Sequence, residues 1–232
     1  MSNAESSYPI RAQELAANAF CKTYSASTIN DIAAVVTRMR VPQGREFISY
    51  AAQSTDVFLI LKGRARAVVT SEGGREITYD IIEEGETIGE LAAIDGGARS
   101  ARVLAEDEVE LAKFKQRDFL TLMGQHADFA MVVARRLARS ARWMSERVRE
   151  FQAYNVRGRI CAELLRLAKG QSNASITISD RDMASRVGTT RENVTKINAG
   201  LMTEGAVVRN GREICVRDAA RLRSIMLSCE LQ

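Results

Sequence analysis

The period of the apolar positions changes twice along the chain. Residues 11 to 38 carry Leu15, Ala16, Ala19 and Phe20, then Ile29, Ile32, Ala33 and Val36, at a spacing that predicts helix throughout. From Val41 the period becomes two, through Phe47 and Ile48, the apolar run Val57 to Leu61, then Ala65, Ala67 and Val69, then Ile77, Tyr79 and Ile81. Glycines at 44, 63, 73, 74, 85, 89, 96 and 97 punctuate these runs. Short strands divided by glycine turns predict an antiparallel sandwich or jelly roll, with Gly73-Gly74 as one hairpin turn.

After Phe119 the pattern turns helical. Leu137, Ala141, Met144, Val148, Phe151 and Asn155 follow alternating steps of four and three, the seam spacing of a coiled coil, and six arginines lie between 135 and 149. A helix laid on its own domain would also carry an apolar stripe. A stripe this narrow on so long a helix is poorly buried by one chain, so a homodimer helix is the expectation. Residues 156 to 168 predict another helix, with Ile160, Leu164, Leu165 and Leu167, and the polar stretch Lys169 to Ser175 predicts a loop.

Composition narrows the function classes. With 232 residues, two domains are the first expectation; 46% hydrophobic and 27% charged residues describe an ordinary globular chain, and no apolar run is long enough to span a bilayer. The first residues lack a basic stretch followed by an apolar core, so the cytoplasm is the expected compartment and no membrane association is expected. Cys21, Cys161, Cys215 and Cys229 are too widely spaced for a C-x-x-C motif and read as small buried or half-buried hydrophobes. His126 is the only histidine, read as a helix-edge residue; zinc sites with two imidazoles are excluded, and no nucleophile and base pair is visible, which disfavours an enzyme. Residues 1 to 126 carry a net charge of −4 and residues 127 to 232 a net of +8, consistent with a second half that meets a polyanion or simply with a solvated basic face.

The run from Gly85 to Ala101 reads GETIGELAAIDGGARSA. A glycine lets the backbone turn into a short helix near Glu90, whose first N–H groups suit an anion. Arg99 brings a planar fork matched to a phosphate, Ser100 a hydroxyl beside it, and Glu90 an acceptor for a sugar hydroxyl. Together, G-E-L-A followed by A-R-S-A resembles the phosphate-binding cassette of cyclic-nucleotide-binding domains, with Ala98 where that family often has proline. By that resemblance Gly89 and Glu90 bind the ribose, Arg99 and Ser100 hold the cyclic phosphate, and Leu91 is a further ligand-binding residue.

From Ile178 to Ile197, Ser179 with Asp182 and Thr189 with Glu192 each fit a capping box, predicting the starts of two short helices. Ala184 is small where helices approach, Gly188 suits the turn, and Val194 and Ile197 bury the second helix, which is the spacing of a helix-turn-helix. The candidate nucleic-acid contacts are Ser179, Thr189, Thr190, Arg191, Glu192, Asn193, Thr195 and Lys196, since Arg can bond guanine bidentately, Glu can accept from cytosine, and Lys or Thr can hold a phosphate or a base edge. A solvated face with a Glu192–Lys196 pair is the alternative for the outer residues. Val207 to Arg209, the Asn210-Gly211 turn and Glu213 to Val216 predict a hairpin wing, to which Arg212 adds a further cation.

Taken together the chain, from about Phe20 to Leu222, resembles the Crp/Fnr family of bacterial transcription regulators. Arg191 to Lys196 is similar to that family's recognition-helix motif, and Asn155 to Ile160 to its hinge. The resemblance implies an α+β chain: an N-terminal antiparallel β-roll of the cyclic-nucleotide-binding type over 1–126, a dimerisation helix over 127–154, and a winged helix-turn-helix over 155–232. It implies a cyclic nucleotide effector, a homodimer on palindromic double-stranded DNA, and RNA polymerase as a further partner. In the cyclic AMP branch a Thr-Ser pair on the dimer helix meets the purine; here Met144 stands for the threonine and Ser145 is retained. Cyclic AMP with fewer hydrogen bonds, cyclic GMP, or both are then open. Cys21 alone cannot hold an iron–sulfur cluster and His126 alone makes haem an unsuitable sensor, so neither these nor a metal are expected. The rival expectations are a DNA-binding dimer whose roll is a scaffold or senses another ligand, and a nucleotide-binding module or enzyme without DNA.

Overall fold

The computed structural model describes residues 8–71, 74 and 76–231. Two compact units divide the chain: one comprises residues up to 69 with 78–142, the other 70–77 with 143 onward. The first is an antiparallel roll. One sheet runs β1 (Tyr8–Pro9), β2 (Thr37–Val41), β9 (Val109–Phe114), β4 (Val57–Lys62), β7 (Thr87–Ile88); the other runs β3 (Glu46–Ile48), β8 (Arg102–Ala105), β5 (Ala65–Thr70), β6 (Glu76–Ile82). Short helices α1 (Ala12–Ala16), α2 (Ala26–Val35), α3 (Glu90–Asp95) and α4 (Gln116–Gln125), with a 3₁₀ turn over Ala19–Thr23, complete it.

The unbroken apolar run of β4 is explained by burial on both faces. Val57, Leu59 and Leu61 lie with Leu15, Ile32, Phe114, Phe119 and Phe129 on the helix side, while Phe58 and Ile60 join Val41, Val103 and Leu111 inside the roll. A parity of two survives only where one face is wet.

The expected helix over 11–38 is instead three pieces and the start of a strand. Ser25 takes extended backbone and its hydroxyl accepts from the Thr28 N–H at 3.1 Å, so a new helix starts there. Val36 is extended, and Thr37 and Arg38 pair with Lys113 and Ala112 rather than ending a helix. The alternation Ile77, Tyr79, Ile81 also misassigns the inner face of β6: Thr78, Asp80 and Ile82 are buried, whereas Ile77 and Ile81 are half-buried. A carboxylate is tolerated inside because Arg136 meets it. Of the expected Gly73-Gly74 turn, Gly73 lies outside the described residues, and Gly74 has a positive φ of 76°.

Helix α5 (Ala127–Ala153) is 27 residues long, and the division between the units falls within it, between Arg142 and Trp143. Its first turns bury Phe129 and Val133 against the roll, while Met131, Met144, Val148 and Phe151 are exposed. His126 stands between α4 and α5, bonded to Thr28 and Asp31.

The second unit contains α6 (Val156–Leu167), β10 (Ala174–Thr177), α7 (Asp180–Val187), α8 (Arg191–Thr203), β11 (Val207–Asn210), β12 (Glu213–Val216) and α9 (Ala219–Leu227). The antiparallel sheet β10-β12-β11 and the helices enclose Ile160, Leu164, Met183, Val187, Val194, Leu201, Ile214 and Leu222. The expected loop Lys169 to Ser175 ends earlier, because Ala174 and Ser175 pair with Val216 and Cys215 and begin β10. Cys21, Cys161 and Cys229 are buried and Cys215 is half-buried, all as thiols. Burial raises the Cys21 thiol to about 11 and the Cys161 thiol to about 12, which keeps both protonated and inert.

Candidate ligand cassette and nucleic-acid face

The cassette is built where β7 turns into α3. Gly89 takes the left-handed conformation, φ 92°, and a Cβ there would stand 2.5 Å from Arg99 Nη1 and 2.9 Å from the Asp56 carbonyl oxygen. No other residue fits. The backbone of Arg99 is clamped by the preceding loop: its N–H donates to Ala52 O and its carbonyl accepts from Ala51 N, both at 3.0 Å. Its guanidinium is turned inward, donating from Nη1 to Gly89 O at 2.8 Å, from Nη2 to Asp56 O at 2.5 Å and from Nε to Ser54 Oγ at 3.0 Å. Part of the fork is thus already committed to shaping the turn. Burial draws Arg99 below the ordinary guanidinium value, against the pull of Asp56 and Glu90.

Glu90 is 5% exposed, and its Oε2, like Thr87 Oγ, has no hydrogen-bond partner among the described residues. A buried carboxylate oxygen without a donor costs free energy that a ligand hydroxyl would recover. Burial lifts the Glu90 carboxyl above the usual carboxylate range, against its own backbone N–H, Arg136 and Arg99. The residues present therefore fit a ligand that carries hydroxyl donors. Leu91 and Ser100 are exposed at the rim.

Four residues missing from the sequence reading, Asp80, Arg136, Arg139 and Ser140, close the other side. Arg136 of α5 is 4% exposed, pairs with Asp80 of β6 at 2.5 Å and lies 3.8 Å from Glu86; Arg139 meets Glu86 at 2.5 Å, and Ser140 donates to Asp80 at 3.3 Å. Burial works against the charge of Arg136, but Asp80, Glu86 and Glu90 outweigh it and raise its value. Nothing in the sequence singled out Arg136 among six neighbouring arginines, and the parity of β6 hid Asp80. Met144 and Ser145 lie on α5 beyond the division, in the second unit, where both are surface residues.

On the helix-turn-helix, Ser179 caps α7: its hydroxyl accepts from the Asp182 N–H at 3.0 Å and donates to the Asp182 carboxylate at 2.5 Å. Gly188 has φ 68° and closes α7; a Cβ there would come within 2.9 Å of the Phe151 ring. The cap of α8 is Thr190 rather than the expected Thr189, since Thr190 Oγ accepts from the Asn193 N–H at 3.3 Å; Thr189 Oγ instead accepts from Asn193 Nδ2 at 3.0 Å. The shift follows from Thr190 having the extended backbone a cap requires. Arg191, Glu192, Thr195 and Lys196 form the exposed face of α8, with Thr195 Oγ within 2.6 Å of Asp180 Oδ2. Arg212, 71% exposed at its side chain, stands at the wing tip 3.8 Å from Asp182. This unit thus presents a cationic helix face and a cationic hairpin, the arrangement that reads duplex nucleic acid.

The same unit contains a buried ionic cluster. Glu163 of α6, fully enclosed, accepts from Arg147 at 2.7 Å and Arg186 at 3.2 Å and also pairs with Arg166; Arg147 and Arg166 further pair with Glu150. Burial pushes the Glu163 carboxyl up, but the three arginines outweigh it and hold it below the usual range. Arg159 covers the Phe151 ring at 4.4 Å and donates to Val187 O and Tyr154 O. These contacts make the last turns of α5 one body with the helix-turn-helix.

Comparison with known proteins matches a family model to each of the two regions. A family model described as cyclic nucleotide-binding domain matches residues 38–126, and one described as Crp-like helix-turn-helix domain matches residues 158–225. The chain is 29% identical over 188 residues to a "Cyclic AMP receptor protein" of Thermus thermophilus, covering 81% of this chain and 87% of the relative. It is 29% identical over 185 residues to the "cAMP-activated global transcriptional regulator CRP" of Salmonella typhimurium, covering 76% and 88%. Among solved structures, the c-di-GMP responsive global regulator CLP of Xanthomonas campestris shares the fold at a TM-score of 0.75 and 18% identity, covering 84% of this chain and all of that one. No helix among the described residues is long and apolar enough to cross a membrane.

Proposed function

Starting from a chain that belongs to the Crp/Fnr family and is a DNA-binding transcription regulator with a cyclic-nucleotide-binding domain, we propose a homodimer whose affinity for DNA is set by cyclic AMP or cyclic GMP held in the roll. What supports the effector is the buried cradle of Gly89, Glu90 and Arg99, in which Glu90 Oε2 lacks a donor that a ribose hydroxyl would supply. Ser100 adds the rim donor to the phosphate, and the resemblance assigns the purine side to Met144 and Ser145. Arg136 joins the set as a second cation on α5, so a nucleotide's negative charge would compete with Asp80 and Glu86 for it. Effector binding that favours one arrangement of α5 then shifts the population of dimers able to bind DNA.

The dimer is supported by the exposed Met144, Val148 and Phe151 on the predicted seam of α5. Two copies of α8 about one DNA turn, ~34 Å, apart would read a palindrome. RNA polymerase is the partner this reading implies at the promoter, in the cytoplasm, and the chain acts as a regulator without catalysis.

A second reading rests on Arg99. With its guanidinium given to Gly89, Asp56 and Ser54, the cassette is also compatible with a roll that answers to a different ligand or to none. Isothermal titration with cyclic AMP and with cyclic GMP separates the two. Micromolar binding of either, lost in Arg99→Ala, supports the first reading; no binding of either leaves an effector-independent or differently tuned regulator.

A further inference from the structure

Asp180, in the first turn of α7, is the meeting point of three elements. Its Oδ2 accepts from Thr195 of α8 at 2.6 Å, its Oδ1 accepts from Asn198 of α8 at 3.2 Å, and Arg209 of β11 pairs with the same Oδ1. Arg209 also donates from Nε to the carbonyl of Gly211 at the wing tip, at 2.8 Å. One carboxylate therefore ties the recognition helix to the wing, and it does so at the surface the unit would turn toward DNA. Burial raises the Asp180 carboxyl, but bonds from Thr195, Arg209 and Asn198 outweigh it and keep it ionised. The side chains of Asp180 and Arg209 are only 12% and 19% exposed, so the pair is partly withdrawn from water.

We propose that Asp180 is a positioning residue for sequence readout: it sets the wing against α8 and holds Arg209 away from DNA phosphates, so that selectivity for the operator depends on it. The inference rests on the DNA-binding reading above. Phosphate contacts fix register without carrying sequence information, whereas base contacts from α8 discriminate. An arginine neutralised internally adds nothing to non-specific affinity. Released, it would neutralise one more phosphate on any sequence and release one more counterion. Loss of Asp180 would also let the wing and α8 move apart, weakening base contacts. Both effects lower the ratio of specific to non-specific binding, and they do so by opposite changes.

The test uses the full-length protein and duplexes enriched by the wild type from a random pool, compared with unselected random duplex, with and without cyclic AMP. In Asp180→Ala the ratio of the two affinities should fall at least tenfold, which is the discrimination carried by about one base pair of the site. The salt dependence on random duplex should steepen by about two units of slope for the dimer, one per protomer, and adding Arg209→Ala should restore it. If Asp180→Ala fails to fold, Arg209→Gln serves: its ratio should fall without any steepening. Equal loss on both duplexes with an unchanged slope, or no change in either, would overturn the proposal. A wild type that enriches no sequence would overturn the DNA-binding reading and this inference with it, an outcome distinct from a mutant that merely matches the wild type.

Discussion

Arg99 Nη1 donates to the carbonyl oxygen of Gly89 at 2.8 Å, across the ten residues of the cassette. The residue expected to hold a ligand's phosphate is therefore also the brace that keeps the glycine turn in shape. Arg99→Ala removes charge-assisted bonds worth about 1.5–3 kcal/mol in each role. Affinity for the cyclic nucleotide should fall at least tenfold by calorimetry, and the melting temperature of the apo protein should fall as well. Arg99→Lys should keep the charge and still lose affinity, because an ammonium cannot bridge Gly89, Asp56 and Ser54 together. Full binding by the lysine variant would count against the bracing role.

Arg136 and Asp80 form a buried pair between α5 and β6. Arg136→Met leaves the Asp80 carboxylate buried beside Glu90 and should destabilise the roll by about 3–5 kcal/mol. Adding Asp80→Leu should recover most of that loss. Calorimetric melting of the two variants checks this, and a double variant no more stable than the single would mean that the pair is not the source of the cost.

The Glu163 cluster sets a pH dependence whose sign follows from its depressed folded-state pKa. A carboxyl with a lowered folded pKa contributes stability that is complete above its unfolded value, about 4.3, and is lost as pH falls through the folded value. Glu163→Gln leaves Arg147, Arg166 and Arg186 without their shared partner, so it should be about 3–5 kcal/mol less stable at pH 7. That gap should stay level down to about pH 5 and narrow in more acidic solution as the wild type itself protonates. A gap that widens toward acid would contradict the assignment.

On the recognition helix, Arg191 and Lys196 are both exposed. Arg191→Ala should relax preference at one position per half-site, at a cost of about 1–3 kcal/mol per half-site for the best sequence, while Lys196→Ala should weaken all sequences alike and flatten the salt slope by about one per protomer. Competition binding against single-base variants of an enriched site distinguishes them. Uniform weakening by Arg191→Ala would assign that residue to phosphate instead.

Val148 is 58% exposed on the predicted seam of α5. Val148→Glu places two carboxylates at a symmetric contact and should weaken self-association at least tenfold by sedimentation, with a parallel loss of operator binding. Unchanged association would move the dimer contact elsewhere.

Much of this architecture was legible without coordinates, because local chemistry suffices for it. The glycine turn at Gly89, the cap at Ser179, the turn at Gly188 and the wing at Asn210-Gly211 each depend on what a few adjacent residues can do with φ, ψ and a hydroxyl. The misreadings share a cause as well. Thr189 and Thr190 offer the same hydroxyl one residue apart, and only the extended backbone at Thr190 makes it the cap. The stretch from 11 to 38 has helical spacing throughout, but Thr37 to Val41 is drawn into a sheet by β9, which lies some seventy residues further on.

The sequence by itself determined the order of roll, long helix and winged helix-turn-helix, and the positions of Glu90, Arg99 and the α8 face, since period and motif are properties of neighbouring residues. Only the tertiary structure decided that Arg99 faces inward onto Gly89, that Asp80 points into the roll toward Arg136, and that Asp180 joins α8 to the wing. A charged side chain's partner is set by which distant element lies within about 4 Å, and by the cost of leaving the charge unpaired once it is buried. No pattern along the chain encodes that distance.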